Sequence, residues 1–288
     1  MCFGAVALLA RACLNSASAA GGARTTSAVK PPAASLTGLA AGTCQSVAPT
    51  GKSRGRTVFI DPGHGGPDPG VLGRTASGAQ LKESTIALAV ARELSRQLRA
   101  DGYGVVLSRT ADTSVLASEL SQIPGGTLTA AQVRQDLQAR VRCANTSSAS
   151  ALVSIHFNSY QDATAGGTET IYDTARPFAA QNLRLAQSLQ SAMVSRLNLS
   201  DRGLVTDDEL QAPTLSDRAG SYGHLLLLGP PEPGWLDEGT TMPGAMVEPL
   251  FLTAPAEAAL AASPDGQRRL AAALAAGIES YLADAPAR

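Results

Sequence analysis

The sequence predicts an α/β fold: a single domain with a mostly parallel, roughly six-stranded sheet flanked by helices on both faces. Three observations carry this. Short apolar runs alternate along the chain with segments whose apolar residues recur at every third or fourth position. Start and stop signals bound the periodic segments, such as Asp101-Gly102 and Ser263-Pro264. The 288 residues are enough to bury a sizeable core, as one large domain or two small ones, and no internal repeat divides them.

Taken in order, residues 1–19 read as a signal peptide, with a short apolar stretch ending in Ala17-Ser18-Ala19. A disordered tail, or a lipid anchor at Cys13, are the alternatives. Residues 20–54 are rich in Ala, Gly, Ser, Thr and Pro and read as a linker, so ordered structure is expected from about Arg56 and the folded domain over 55–288. "TVFI" is the first strand. Residues 84–100 form a helix with Ile86, Val90, Leu94 and Leu98 on one face. "GVVLSRT" is a strand, and 130–144 a helix bearing Val133, Leu137 and Val141. "ALVSIHF" and "TETIYD" are strands. Leu185, Leu189, Met193 and Leu197 mark a long helix. "HLLLL" and "AMVEPLFL" complete the strands, and the last helix carries Leu270, Leu274, Ile278 and Leu282.

Composition narrows the function. The formal net charge is −1, so no basic field points to nucleic acid. No apolar run reaches bilayer-spanning length, so no transmembrane span is expected. The chain has three histidines, and their positions are informative. In open α/β sheets ligands bind beyond the carboxyl ends of strands. His64, in "TVFIDPGHGG", follows the first strand, and His156, in "ALVSIHFNS", ends the third. Together they suggest a metal or acid/base site.

Catalytic zinc usually takes three protein ligands and a water. Glu83, opening the first helix after the His64 loop, is the best third ligand, although an acidic residue there is also favoured by the helix dipole. Glu248 lies within "AMVEPLFL", a strand otherwise too apolar to host a charge, so its carboxylate must be paired, metal-bound or catalytic. Asp61 and Asn158 flank these residues and either support them or hold turns. His224 is expected to have a surface or structural role, and Trp235, in a Pro/Gly loop, to be a loop anchor, with stacking on sugar or peptide the alternative.

The segments "FIDPGHGGPDPG", "LKESTIALAVARELSRQL", "VVLSRTAD", "RVRCANTSSASALVSIHFNS" and "AMVEPLFLT" follow one another in the chain. In this order they resemble the zinc-dependent N-acetylmuramoyl-L-alanine amidases of the type 3 family, over roughly residues 56 to 283. The resemblance implies that His64, Glu83 and His156 are Zn2+ ligands and Glu248 the catalytic carboxylate. It implies hydrolysis of the amide between N-acetylmuramic acid and L-alanine, with peptidoglycan or muropeptides as partner, in a protein secreted to the periplasm or cell wall, and a monomer is expected. Two departures stand out. The glutamate is followed by Pro249-Leu250-Phe251 where the family usually has Leu-Gly-Phe, and Ser118 to Thr129 reads as an insertion that lines or covers the groove. A zinc peptidase cutting the stem peptide, or a binding protein with impaired catalysis, are the competing readings.

Four cysteines remain to be placed. Cys2 and Cys13 fall in the segment expected to be removed on export. The mature protein then has one intramolecular pairing, Cys44 with Cys143, in a compartment where disulfides persist.

Overall fold

The computed structural model describes residues 38–116, 128–210, 215–217 and 220–284. The expected signal peptide, and Ser118 to Thr127 of the expected insertion, lie outside the described residues. The strands are β1 (Thr43–Val47), β2 (Thr57–Pro62), β3 (Leu72–Arg74), β4 (Gln80–Lys82), β5 (Gly104–Arg109), β6 (Ala151–Ile155), β7 (Thr168–Tyr172), β8 (Asp201–Thr206), β9 (Leu215–Asp217), β10 (Gly220–Tyr222) and β11 (Gly244–Glu248). The helices are α1 (Glu83–Ala100), α2 (Ala130–Thr146), α3 (Ala179–Leu197), α4 (Pro255–Ala262) and α5 (Pro264–Asp284).

Seven strands form one sheet in the order β1-β5-β2-β6-β11-β7-β8. β5, β2, β6 and β11 are mutually parallel, and β7 pairs parallel with β8. β1 and β7 join antiparallel, on β5 and β11. The inner strands are covered on both faces, and their residues alternate between two cores. Val58, Ile60, Val105, Leu107, Val153, Ile155 and Val247 pack with Leu94 of α1, Leu189 of α3 and Leu274 of α5. Phe59, Val106, Leu152 and Met246 pack with Val141 and Cys143 of α2 and with the loop carrying Leu226, Leu228 and Trp235. Strands buried on both faces read as continuous apolar runs, which is why they were visible in the sequence.

The structure adds elements that were not expected, β8 at the far edge of the sheet among them, and it differs more pointedly in two places. "HLLLL" is not a strand: Leu228 N and Gly229 N both donate to Leu225 O, closing a tight turn after His224. Its leucines are apolar because Leu226, Leu227 and Leu228 roof the second core, and a short apolar run has no period to tell a strand from a buried turn. Ordered structure also begins well before Arg56, because β1 lies in the stretch read as linker. Only Thr43 of β1 is buried, so the strand leaves no hydrophobic signature.

β1 is held at the sheet edge by its ladder to β5 and by a Cys44–Cys143 disulfide with Cα atoms 5.5 Å apart. The bond ties the edge strand to α2 across a sequence separation of 99 residues. Closing a loop of this size restricts the unfolded chain. Replacing both cysteines by serine is therefore expected to cost about 2–4 kcal/mol of stability, measured by denaturant unfolding. Non-reducing peptide maps should contain the 44–143 cross-link, and finding both thiols alkylated without reductant would rule it out.

Candidate metal centre

β2 and β6 are parallel neighbours, so both deliver the residues after them to the same edge of the sheet. His64 leaves β2 in a turn closed by Gly65 N to Asp68 O and by Asp68 N to Gly65 O. His64 itself has φ +58°, a left-handed conformation that costs a non-glycine residue about 1–3 kcal/mol and persists only where its surroundings impose it. Glu83 opens α1, with its backbone N–H on Val71 O. His156 follows β6, and its N–H donates to Val247 O of β11.

The structure brings the three side chains together. His64 Nε2 lies 3.0 Å from Glu83 Oε1 and 3.1 Å from His156 Nδ1, which is 3.0 Å from the same Glu83 oxygen. Tetrahedral zinc with bonds of about 2.0–2.1 Å separates its ligands by about 3.3 Å, so the near-equilateral triangle fits such an ion. The outer atoms are fixed as well. His64 Nδ1 is 2.8 Å from Asp68 Oδ2, a contact that leaves Nε2 bare when Nδ1 carries the proton. Glu83 Oε1 accepts from Phe157 N and its Oε2 from Val71 N. Burial works against a charge on His64, but hydrogen bonds to Asp68 and Glu83 outweigh it and raise the imidazole to about 10 in the metal-free centre. Those partners favour a positive charge there, whether a proton or a cation.

Glu248 ends β11, one residue beyond the Val247–Ile155 pair and therefore level with His156. The residue is half-buried, and its Oε2 is shielded with no hydrogen-bond partner among the described residues. Burial pushes its carboxyl well above the usual range, and the charge of Glu83 adds to this. The ladder slips at this point: His156 N bonds Val247 O, while Asn158 N bonds Leu250 O, so two residues of one chain face three of the other. Pro249, which has no N–H, sits in this bulge.

Behind the centre lie two buried arginines whose importance the sequence reading missed. Asp61, on the second core's face, pairs in register with Ser154 and accepts from Ser108 Oγ at 2.5 Å and Ser154 Oγ at 2.8 Å. Arg140 of α2 donates to Asp61 Oδ1 at 2.7 Å, Asp136 Oδ2 at 3.0 Å, Pro62 O at 2.9 Å and His64 O at 2.6 Å. Arg109 of β5 donates to Pro62 O, Gly63 O and Ser84 O. Three consecutive carbonyls before and at His64 are thus held by two guanidinium forks, and Arg109 also ties the start of α1 to them. Asp61 supports the His64 turn through Arg140. Asn158 Oδ1 accepts from Ser159 N, a bond within its own turn. A cavity of about 190 Å³ lies against His64 and His156, walled by Val133, Leu137 and Leu225–Leu227.

Residues 58–280 match the family model described as N-acetylmuramoyl-L-alanine amidase. The chain belongs to that family. It is 29% identical to the germination-specific N-acetylmuramoyl-L-alanine amidase of Bacillus subtilis (strain 168), over 80% of this chain and 81% of that protein. It is 34% identical to the amidase LytC of the same organism, over 53% of this chain and only 25% of LytC, so most of LytC has no counterpart in the match. Among solved structures, the N-acetylmuramoyl-L-alanine amidase of Clostridium difficile 630 superposes with a TM-score of 0.57 at 31% identity, over 80% of this chain and 98% of that one. The expected α/β amidase domain and the peptidoglycan amidase class of hydrolase follow from these matches.

Trp235 is the loop anchor expected: buried, with the Arg134 guanidinium 5.0 Å from its ring centroid and its carbonyl accepting from Gln138 Nε2. Gly63 and Gly70 leave room for the candidate centre, since a Cβ would lie 2.5 Å from His156 Nε2 at the first and 2.5 Å from Glu83 Oε2 at the second. Gly63→Ala should displace His156 and weaken zinc binding about 10–100-fold. An unchanged zinc affinity, by competition with a chromophoric chelator, would contradict this geometry. Arg140→Met leaves Asp61 and Asp136 buried without their partner and should cost about 3–5 kcal/mol at neutral pH. Burial raises Asp61, but Arg140, the Ser108 and Ser154 hydroxyls and His156 together outweigh it and hold the carboxyl below 3.8. The stabilisation is therefore complete above pH 3.8 and is lost as pH falls through the lower folded value. Without Arg140 the burial of Asp61 raises its carboxyl in the variant, so the wild-type advantage over Arg140→Met in chemical denaturation should begin to shrink above pH 3.8 and continue to fall through the acid range.

Proposed function

We propose that His64, Glu83 and His156 hold a zinc ion, and that Glu248 works beside it as general base and acid. The reaction is hydrolysis of the amide joining the lactyl group of N-acetylmuramic acid to L-alanine. The observation that carries this reading is the convergence of three ligand atoms 3.0–3.1 Å apart beside a carboxylate with an unpartnered, shielded oxygen.

When bound, zinc acidifies a coordinated water and polarises a carbonyl oxygen. Asp68 holds the His64 ring through Nδ1, and the Phe157 and Val71 N–H groups hold Glu83, so the ligand atoms stay aimed at one point. Glu248 takes a proton from the attacking water. The carbonyl carbon gains the hydroxyl, the C–N bond breaks, and Glu248 returns its proton to the leaving nitrogen. Its raised affinity for a proton suits a carboxylate to both steps. Leu72 and Tyr160, large apolar side chains exposed on segments next to the centre, supply contact surface for glycan or peptide.

Substrate chemistry and the Cys44–Cys143 bond together favour a secreted, periplasmic or cell-wall protein. Among the described residues no helix is long and apolar enough to cross a membrane.

Chelation should abolish digestion of purified sacculi and zinc restore it, while His64→Ala should lose most of the bound metal. Glu248→Gln should keep zinc and lose about 10²–10⁴-fold or more in rate. Intact free stem peptides in the product mass spectrum support the amidase reaction. Shortened peptides would make the chain a peptidase, and an absence of products would leave a binding protein.

A further inference from the structure

A second group of side chains converges away from the amidase centre. Asp173 follows β7, Asp207 follows β8, and His224 follows β10. β7 runs antiparallel to β11 and parallel to β8. The carboxyl ends of β7 and β8 therefore lie at the opposite edge of the sheet from those carrying His64, His156 and Glu248. His224 Nδ1 is 3.0 Å from Asp173 Oδ2 and 3.1 Å from Asp207 Oδ1, and the three atoms all lie within 4.8 Å of one another. Both aspartate side chains are 0% exposed.

Each carboxylate has one oxygen engaged by backbone. Asp173 Oδ1 accepts from Ala175 N and Arg176 N, and Asp207 Oδ2 from Leu225 N. The remaining oxygens both face one nitrogen. A single Nδ1–H serves only one of them well, and the hydrogen bond is made with Asp207. Asp173 Oδ2, fully shielded and 3.0 Å from the ring nitrogen, has no hydrogen-bond partner among the described residues. The charge of Arg176 acts on Asp173, but its Nη atoms hydrogen-bond the carbonyls of Gly229 and Thr240 and leave Oδ2 without a donor among the described residues. A buried, unpaired carboxylate oxygen aimed at an imidazole nitrogen is costly for a proton-bridged trio. It is the expected arrangement around a cation, which accepts all three lone pairs at once.

We propose that Asp173, Asp207 and His224 form a second divalent-cation site, separate from the amidase centre and suited to zinc. One imidazole nitrogen and two carboxylate oxygens are ordinary zinc donors, and two of the three spacings match tetrahedral ligands. The site ties together three segments that follow different strands. Through Asp207 and the Leu225 N–H it also fixes the start of the turn whose leucines wall the cavity beside His64 and His156. Its role is that of a clip on the cavity wall, with no part in bond cleavage.

The test is metal stoichiometry in the whole chain, so its outcome does not depend on the proposed reaction. Protein loaded with zinc and dialysed against metal-free buffer should retain two zinc ions per chain by elemental analysis. Asp207→Asn and His224→Ala should each retain one, as should His156→Ala, and the Asp207→Asn/His156→Ala pair should retain none. A wild-type chain with one zinc, kept in Asp207→Asn and lost in His156→Ala, overturns the second site. Should the aspartate variant fail to fold, anomalous scattering from zinc-loaded crystals of the unaltered protein decides. A peak at bonding distance from His224 Nδ1 supports the site, and a crystal with zinc at His64 and His156 but none at His224 overturns it.

Discussion

The structure of the candidate metal centre depends on one buried ion pair, Arg140 with Asp61. Asp61 sits in a row of polar side chains crossing three parallel strands, Ser108, Asp61 and Ser154, all on the same face of an otherwise apolar sheet. Arg140 descends on that row from α2, and both partners are about 2% exposed. Such a pair gains little stability over an apolar pair of similar volume, because both ions are stripped of water. What it supplies is position. With its charge balanced by Asp61 and Asp136, Arg140 is free to donate to the Pro62 and His64 carbonyls. Those carbonyls belong to the backbone that His64 needs held in a left-handed conformation.

The clamp also has an electrostatic consequence. Glu83, Glu248 and Asp68 crowd negative charge around the two candidate histidine ligands. Arg109 and Arg140 stand behind them, bound to backbone carbonyls and to Asp61 and Asp136, not to the side chains of the centre. Glu83 is held well below the usual carboxylate range: burial opposes its charge, but His156 and His64 outweigh burial. Glu248 is pushed the other way. Two carboxyls within one small volume thus have their proton affinities pushed apart, the arrangement suited to one that serves as a ligand and another that moves a proton.

Legibility from sequence followed burial. His64, His156 and Glu248 were readable because each is a polar residue breaking or ending an apolar run, and the burial of β2, β6 and β11 made those runs unmistakable. Glu83 was readable only with the loop from His64 in mind, since a helix N-terminus explains a glutamate by itself. Arg109 and Arg140 were not singled out: Arg140, in a helix with polar neighbours, reads as solvated, Arg109, at the end of β5, reads as an exposed strand-end cation, and their fork geometry is a tertiary fact. β8 was missed as β1 was, both being edge strands with polar, half-exposed residues. "HLLLL" erred in the other direction, because burial by a core produces leucine runs in turns as well as in strands.

The bulge at Glu248–Pro249 shows how the departure from the family pattern is accommodated. Proline within a regular ladder removes a donor and is confined to edges and irregularities. β11 lies between β6 and β7, so a proline there would be expected to disrupt pairing on one side. The disruption is limited by position. Regular pairing of β11 ends at Glu248, opposite Glu169 of β7, and resumes toward β6 only with Leu250 and Leu252. The extra residue falls between the His156 and Asn158 bonds, past the last residue whose register fixes the proposed base. Glu248 therefore keeps its place level with His156, while the segment after it is free to turn toward α4.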